Sequence, residues 1–348
     1  METSNLAVVF TGQGKLDAAG FAASRHVLPH ARQVFSEIDA VSFGSLGVKI
    51  SDLLEKSRSR GDSASMTHAA LQLAQFGASV AIYKYCFSRG VRPGAVIGHS
   101  FGEIAALVSA GALSVRDGAF VVCERIRVLE SLNPRQGAMG VLNTDAASAQ
   151  AILDELASDS LDIAVENAPD ETLIAGAVEA VVSAFAIASR KGVRFSRLVS
   201  PYAMHCPSLM TEAAGTLLHR LSGLRPRVPE APVYSPYMAR FLTENDDLAD
   251  MLAFHFYRRL PFAQAVRRLY QSGISAFVEC NVLSGFDRQI KSTIKDCEVI
   301  HVDMSPASRS KLDKCVERSA VSACRSSSSD FWSLHAEGGS RWQQISLA

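Results

Sequence analysis

Apolar and polar positions follow two different periods along this chain. Leu6–Phe10 is an unbroken apolar run that stops at Thr11-Gly12-Gln13-Gly14, which predicts a buried strand ending in a glycine turn. Over residues 67–89, rich in Ala, Leu and Gln, apolar positions recur near every 3.6 residues, which predicts a helix that ends before Gly90. Ala95-Val96-Ile97 predicts a second strand, followed by Gly98-His99-Ser100-Phe101-Gly102-Glu103 and a helical run over 104–110. Strand, sharp turn and helix in that order point to an α/β layer with a mostly parallel sheet.

After Arg135 the pattern changes. Met139-Gly140-Val141-Leu142, Asp162-Ile163-Ala164-Val165 and Leu173-Ile174-Ala175 read as strands, with helical runs at about 145–158 and 178–191. This βαββα alternation is that of a small split α+β insert. The first texture then returns, with helices at 208–222 and 261–272 and an apolar strand over 274–278. The expected division is therefore 1–135 with 197–305 as the large subdomain and 136–196 as the small one. Beyond Pro306 the chain turns polar, with four consecutive serines at 326–329, so 306–348 is expected to be a loosely attached, disordered or linker-like tail that Phe331 and Trp332 could dock.

Composition narrows the classes. Lys+Arg and Asp+Glu each number 35, so no basic surplus is available for nucleic-acid phosphates. The apolar fraction of 48% is ample for a core, yet no run approaches the roughly 20 apolar residues of a membrane helix. The start carries an acid where a secretory signal wants positive charge. Seven cysteines, an odd number without a Cys-x-x-Cys pair, read as reduced thiols in a cytoplasmic protein rather than as disulfides or a zinc site. No metal and no bound cofactor is expected.

The residues that carry chemistry begin with Gly98-His99-Ser100-Phe101-Gly102, which matches the Gly-x-Ser-x-Gly nucleophile elbow. A strand must turn into a helix within one residue there, and the flanking glycines avoid collision while the serine hydroxyl stands at a helix N-terminus. A serine needs a base. Of nine histidines, His205 stands out in the turn-rich Ser200-Pro201-Tyr202-Ala203-Met204-His205-Cys206-Pro207, just after the insert and before a helix, although a loop histidine is as readily structural.

Together these motifs resemble the malonyl-CoA:acyl carrier protein acyltransferases, both discrete transacylases and polyketide synthase acyltransferase domains. The resemblance runs over about residues 6–300 and rests on Phe10-Thr11-Gly12-Gln13-Gly14, the Gly-His-Ser-Phe-Gly-Glu run, Tyr202-Ala203-Met204-His205, Gln72, Arg125, Gly137-Ala138-Met139, Asn167, Gly176 and Phe277-Val278-Glu279. It implies an α/β-hydrolase-like large subdomain with an inserted ferredoxin-like small one. It also implies a ping-pong transfer in which Ser100, with His205 as base, takes an acyl group from coenzyme A and passes it to the phosphopantetheine thiol of an acyl carrier protein. Gln13 and Phe101 backbone N–H groups would form the oxyanion hole, Arg125 would grip the free carboxylate, and Gln72, Tyr202 and Met204 would line the acyl pocket. In the family a backbone carbonyl orients the histidine, and His255 aligns with the residue that supplies it.

Tyr202-Ala203-Met204-His205 matches neither the His-Ala-Phe-His pattern of malonyl-specific relatives nor the Tyr-Ala-Ser-His pattern of methylmalonyl ones; the bulk of Phe101 and Met204 favours malonyl. Two departures border the cleft: Cys280-Asn281 runs straight into Val282-Leu283 where the family has a longer Gly-Pro loop, and the segment after Gly14 lacks the usual second glutamine. The readings that compete are an acyl-thioester hydrolase of the same fold, against which Arg125 speaks, a carrier-to-carrier transferase of extended acyl groups, and a catalytically dead scaffold, which would need Ser100 or His205 to be lost.

Overall fold

The structure is a computed structural model that describes residues 4–12, 21, 24–52, 67–132, 137–198, 200, 202–281, 285–302 and 305–325. Its larger sheet has six strands in the order β10 (Glu298–His301), β9 (Ala276–Glu279), β1 (Leu6–Phe10), β2 (Ala95–Gly98), β7 (Val233–Ser235) and β8 (Arg240–Phe241). Neighbours from β10 to β7 pair in parallel, and β8 closes the edge antiparallel to β7. β1, β2 and β9 are buried along their whole length, as continuous apolar runs demand when helices cover both faces. Because β1, β2 and β9 point the same way, the turns after Phe10, Gly98 and Glu279 all emerge on one edge, where open α/β sheets place their ligands.

Helix α1 (Leu28–Leu46) packs against α2 (His68–Ser88), and α2 against α3 (Gly102–Ser109). Thr67 caps α2 by accepting from the Ala70 N–H at 3.2 Å, and Gly90, at φ 96°, follows its last turn as the spacing predicts. Helix α4 (Val115–Ser131) starts with a reciprocal capping box between Ser114 and Asp117.

The smaller sheet holds four antiparallel strands in the order β4 (Leu161–Ala168), β5 (Glu171–Ala177), β3 (Gly137–Leu142) and β6 (Phe195–Arg197). With α5 (Ala146–Leu156) after β3 and α6 (Val178–Arg190) after β5, the segment is βαββαβ, a ferredoxin-like arrangement with its own apolar cluster around Leu142, Ile152, Ile174 and Ile187. The short, half-exposed β6 adds a last strand to the βαββα alternation legible in the sequence and runs to Arg197, one residue past the expected end of the insert.

A seam ties the smaller sheet to the chain of the large subdomain. β4 is irregular at Val165, and there it bridges Leu260 in parallel: the Glu166 N–H donates to the Leu260 carbonyl and the Leu260 N–H to the Ala164 carbonyl, each at 2.9 Å. This pins the chain between α8 (Leu248–Tyr257) and α9 (Phe262–Gln271) to the small subdomain.

The C-terminal segment corrects an expectation. Instead of a loose tail from Pro306, the chain forms helix α11 (Pro306–Arg325), which buries Leu312 and Cys315 and pairs Asp313 with Arg89 at 2.9 Å. Leu312, Cys315 and Val316 make a narrow stripe three and four residues apart that the surrounding Ser, Lys and Arg residues mask in the composition. The serine run, Phe331 and Trp332 lie outside the described residues. No described helix is long and apolar enough to cross a membrane.

Candidate active site

Ser100 follows β2 directly and sits at φ 51°, in the left-handed region that non-glycine residues seldom occupy. The turn is tight enough to forbid side chains on either side. A Cβ at Gly98 would lie 2.2 Å from Glu103 Cα, and one at Gly102 would lie 2.3 Å from the Phe10 carbonyl oxygen. The N–H groups of Gly102, Glu103 and Ile104 turn back onto the carbonyls of His99, Ser100 and Phe101. The Phe101 N–H has no acceptor among the described residues, which leaves the first donor of this helix open toward the site. Gln13, the other expected oxyanion donor, lies outside the described residues, as do Val282-Leu283 and the segment after Gly14.

His205 comes to Ser100 from across the insert. Its Nε2 is 2.8 Å from Ser100 Oγ, and its Nδ1 is 2.9 Å from the Arg258 carbonyl oxygen. A carbonyl only accepts, so Nδ1 carries the proton and Nε2 is left to accept from the serine hydroxyl. His205 is also held at a positive φ of 63°, so both members of the pair sit on strained backbone. Burial pushes the imidazole down to about 3, against the Arg258 carbonyl that favours its charged form, so His205 is neutral and able to take a proton at any physiological pH.

His255 does not do what its alignment suggested. The carbonyl on His205 is that of Arg258, three residues on, because α8 ends at Tyr257 and the seam at Leu260 turns that peptide toward the site. His255 is instead buried, with Nε2 2.8 Å from Glu103 Oε2. Burial lowers His255 to about 3 and raises Glu103 to about 8, so the pair holds one proton between them and no net charge.

Arg125, Gln72 and Met204 converge. Arg125 lies in α4 only 1% exposed, its guanidinium donating to Gln72 Oε1 and 4.0 Å from Met204 Sδ. It stands over the rings of Phe101 and Phe256, 5.2 and 5.7 Å from their centroids. The neighbouring Glu124 does not neutralise it, being held by Arg127 at 2.6 Å and Arg220 at 2.9 Å. Among the described residues Arg125 has no acidic partner, its Nε has no acceptor, and burial lowers the pKa of the guanidinium to about 10. A buried, unpaired cation is costly unless an anion arrives. Tyr202, half-buried, packs near His68 at 6.0 Å between ring centroids.

Several contacts that matter here are not legible in the sequence. His99, the variable position of the elbow, is buried and bonds through Nε2 to Asn167 Oδ1 at 2.9 Å, while Asn167 donates to Glu171 Oε1 at 2.8 Å. That chain, extended by Arg288 on Glu171 at 2.6 Å, ties the elbow to the small subdomain. Arg258 acts through its main chain, and Tyr237 stacks beside His205. Six described cysteines are free thiols, and Cys206, next to His205, is buried and pushed up to about 12 with its Sγ on Asp162.

Comparison with known proteins agrees with this geometry. The profile of the Acyl transferase domain matches residues 8–316. The chain belongs to the acyl transferase domain family. It is 38% identical over 199 residues to the spectinabilin polyketide synthase system protein NorC of Streptomyces orinoci, covering 55% of this chain and 8% of that protein. It is 27% identical over 304 residues to the malonyl CoA-acyl carrier protein transacylase of Bacillus subtilis (strain 168), covering 85% of this chain and 93% of that protein. A solved malonyl-transacylase in complex with its type II PKS acyl-carrier protein superposes with a TM-score of 0.80 at 25% identity, over 90% of this chain and 99% of that one. Against the first three polyketide synthases it matches, this acyl transferase domain spans only 8%, 6% and 3% of their length.

Proposed function

We propose that this acyl transferase domain moves a malonyl group, or a closely related dicarboxylic acyl group, from coenzyme A to the phosphopantetheine thiol of an acyl carrier protein. The observation that carries the reading is Arg125: a buried guanidinium with no carboxylate partner among the described residues, beside the Ser100–His205 pair and lined by Gln72 and Met204. Its planar fork suits a second carboxylate on the acyl group.

The chemistry runs in two halves. Ser100 gives its proton to His205 Nε2 as Oγ bonds to the thioester carbonyl carbon; the oxyanion forms against the Phe101 N–H and, as the family resemblance implies, that of Gln13. Collapse breaks the carbon–sulfur bond, and the coenzyme A thiolate leaves with the proton from His205. In the second half the carrier thiol gives its proton to His205 and its sulfur attacks the ester; Ser100 Oγ departs and regains the proton. Serine, imidazole and guanidinium suffice for each step, so no cofactor or metal is assigned, and action on a separate carrier protein in polyketide or fatty-acid assembly is part of this reading.

Intact-mass spectrometry with malonyl-CoA tests it. The expected result is a malonyl adduct on the native protein, none on Ser100→Ala, and its discharge only when a holo carrier protein is added. Rapid release of free malonate without carrier would favour a hydrolase and overturn the transfer reading.

A further inference from the structure

Tyr237 lies just after β7 and is fixed on three sides by rings. Its ring is nearly parallel to His205 (19°, centroids 6.1 Å apart), tilted against His255 at 5.5 Å and edge-on to Phe254 at 6.2 Å. The position of its hydroxyl is therefore set by packing. That hydroxyl is closed off from solvent; Ser100 is the side chain within hydrogen-bonding reach of it, yet no hydrogen bond of good geometry is completed among the described residues. A buried hydroxyl left unpaired is destabilising, so its persistence calls for a partner that arrives later.

The surroundings say where that partner sits. Ser100 is the hydrogen-bond neighbour of the hydroxyl, and Arg125 and Glu103 are the ionisable groups near enough to bear on it. Glu103 does not use it: Oε2 is bonded to His255, and the hydroxyl that bears on its carboxyl group is that of Ser235. The hydroxyl thus stands beside the space between a nucleophile and a buried cation. An acyl group esterified to Ser100 and reaching Arg125 with a free carboxylate must cross that space.

We propose that Tyr237 is a specificity-determining residue, its O–H donating to the free carboxylate of the acyl group alongside the Arg125 guanidinium. The role rests on the malonyl-transfer reading above. It explains how a single arginine pocket can hold the carboxylate with directional donors on two sides, and it adds preference for dicarboxylic over monocarboxylic acyl groups, which present no acceptor there.

The test is Tyr237→Phe, which removes one oxygen and keeps the ring. Acylation of the protein by malonyl-CoA and by acetyl-CoA is followed in single-turnover experiments, with thermal melting as the check on folding. The expected result is a fall of about tenfold or more in kcat/KM for malonyl-CoA and of less than about threefold for acetyl-CoA, so that the ratio between donors shifts. Equal losses with both donors would place Tyr237 on the Ser100–His205 pair instead and overturn the proposal, as would an unchanged malonyl rate. If the unmutated protein forms no malonyl adduct at all, the transfer reading falls and this role falls with it; a normal adduct with an unmoved donor ratio removes this role alone.

Discussion

Arg125 sets stability and activity against each other at one position. Burying its charge without a counter-ion costs the empty protein several kcal/mol by the usual scale of such penalties, and a carboxylate ligand offsets it. Arg125→Met, which fills the same space without charge, is expected to raise the melting temperature while lowering malonyl transfer about a hundredfold and acetyl transfer by less than about threefold, as calorimetry and donor competition would measure. The buried histidines give a second test at this scale. His205 and His99 are held down to about 3 and about 4, whereas in the unfolded chain each takes up a proton below pH 6.5. The unfolded state therefore binds more protons in that window, so stability is full above pH 6.5 and is lost as pH falls toward 4 and 3. Urea unfolding between pH 4.5 and 6 should show this slope, and His205→Gln should flatten it by one proton, roughly 1.4 kcal/mol per pH unit.

At the scale of elements, the β2–α3 turn and helix α7 (Pro207–Arg220) provide a matched pair of glycines. Gly102→Ala would drive a Cβ to 2.3 Å from a carbonyl oxygen of β1, whereas Gly215→Ala, in the exposed middle of α7, meets nothing within 4 Å. The first is expected to cost more than about 3 kcal/mol and abolish acyl-enzyme formation. The second should stabilise the protein by about 0.5–1 kcal/mol with full activity, since alanine is the better helix former. The elements around this turn were readable in advance because each carries a local signature: an apolar run for β1 and β2, small residues around Ser100, alternating strands and helices through 137–190. The orienting carbonyl, the His99–Asn167 bond and Tyr237 were not, since each depends on chain segments tens of residues apart meeting in space. Helix α11 escaped because its short apolar stripe of Leu312, Cys315 and the partly buried Val316 was diluted among polar residues.

At the scale of the whole molecule, the small subdomain is a structural arm of the site. It braces the elbow through Asn167 and braces the Arg258 peptide through the β4–Leu260 seam. Asn167→Ala leaves the buried His99 Nε2–H without an acceptor and is expected to cost roughly 1–3 kcal/mol of stability, with a slower acylation rate, both read by urea unfolding and single-turnover kinetics.

The atom that steers His205 belongs to the main chain, and this shapes how the region tolerates change. Any side chain at position 258 leaves a carbonyl oxygen in place. A saturation library there should come through almost silent, while shortening the stretch between His255 and Leu260 by a single residue should inactivate. Function at this point is written in chain length rather than in letters.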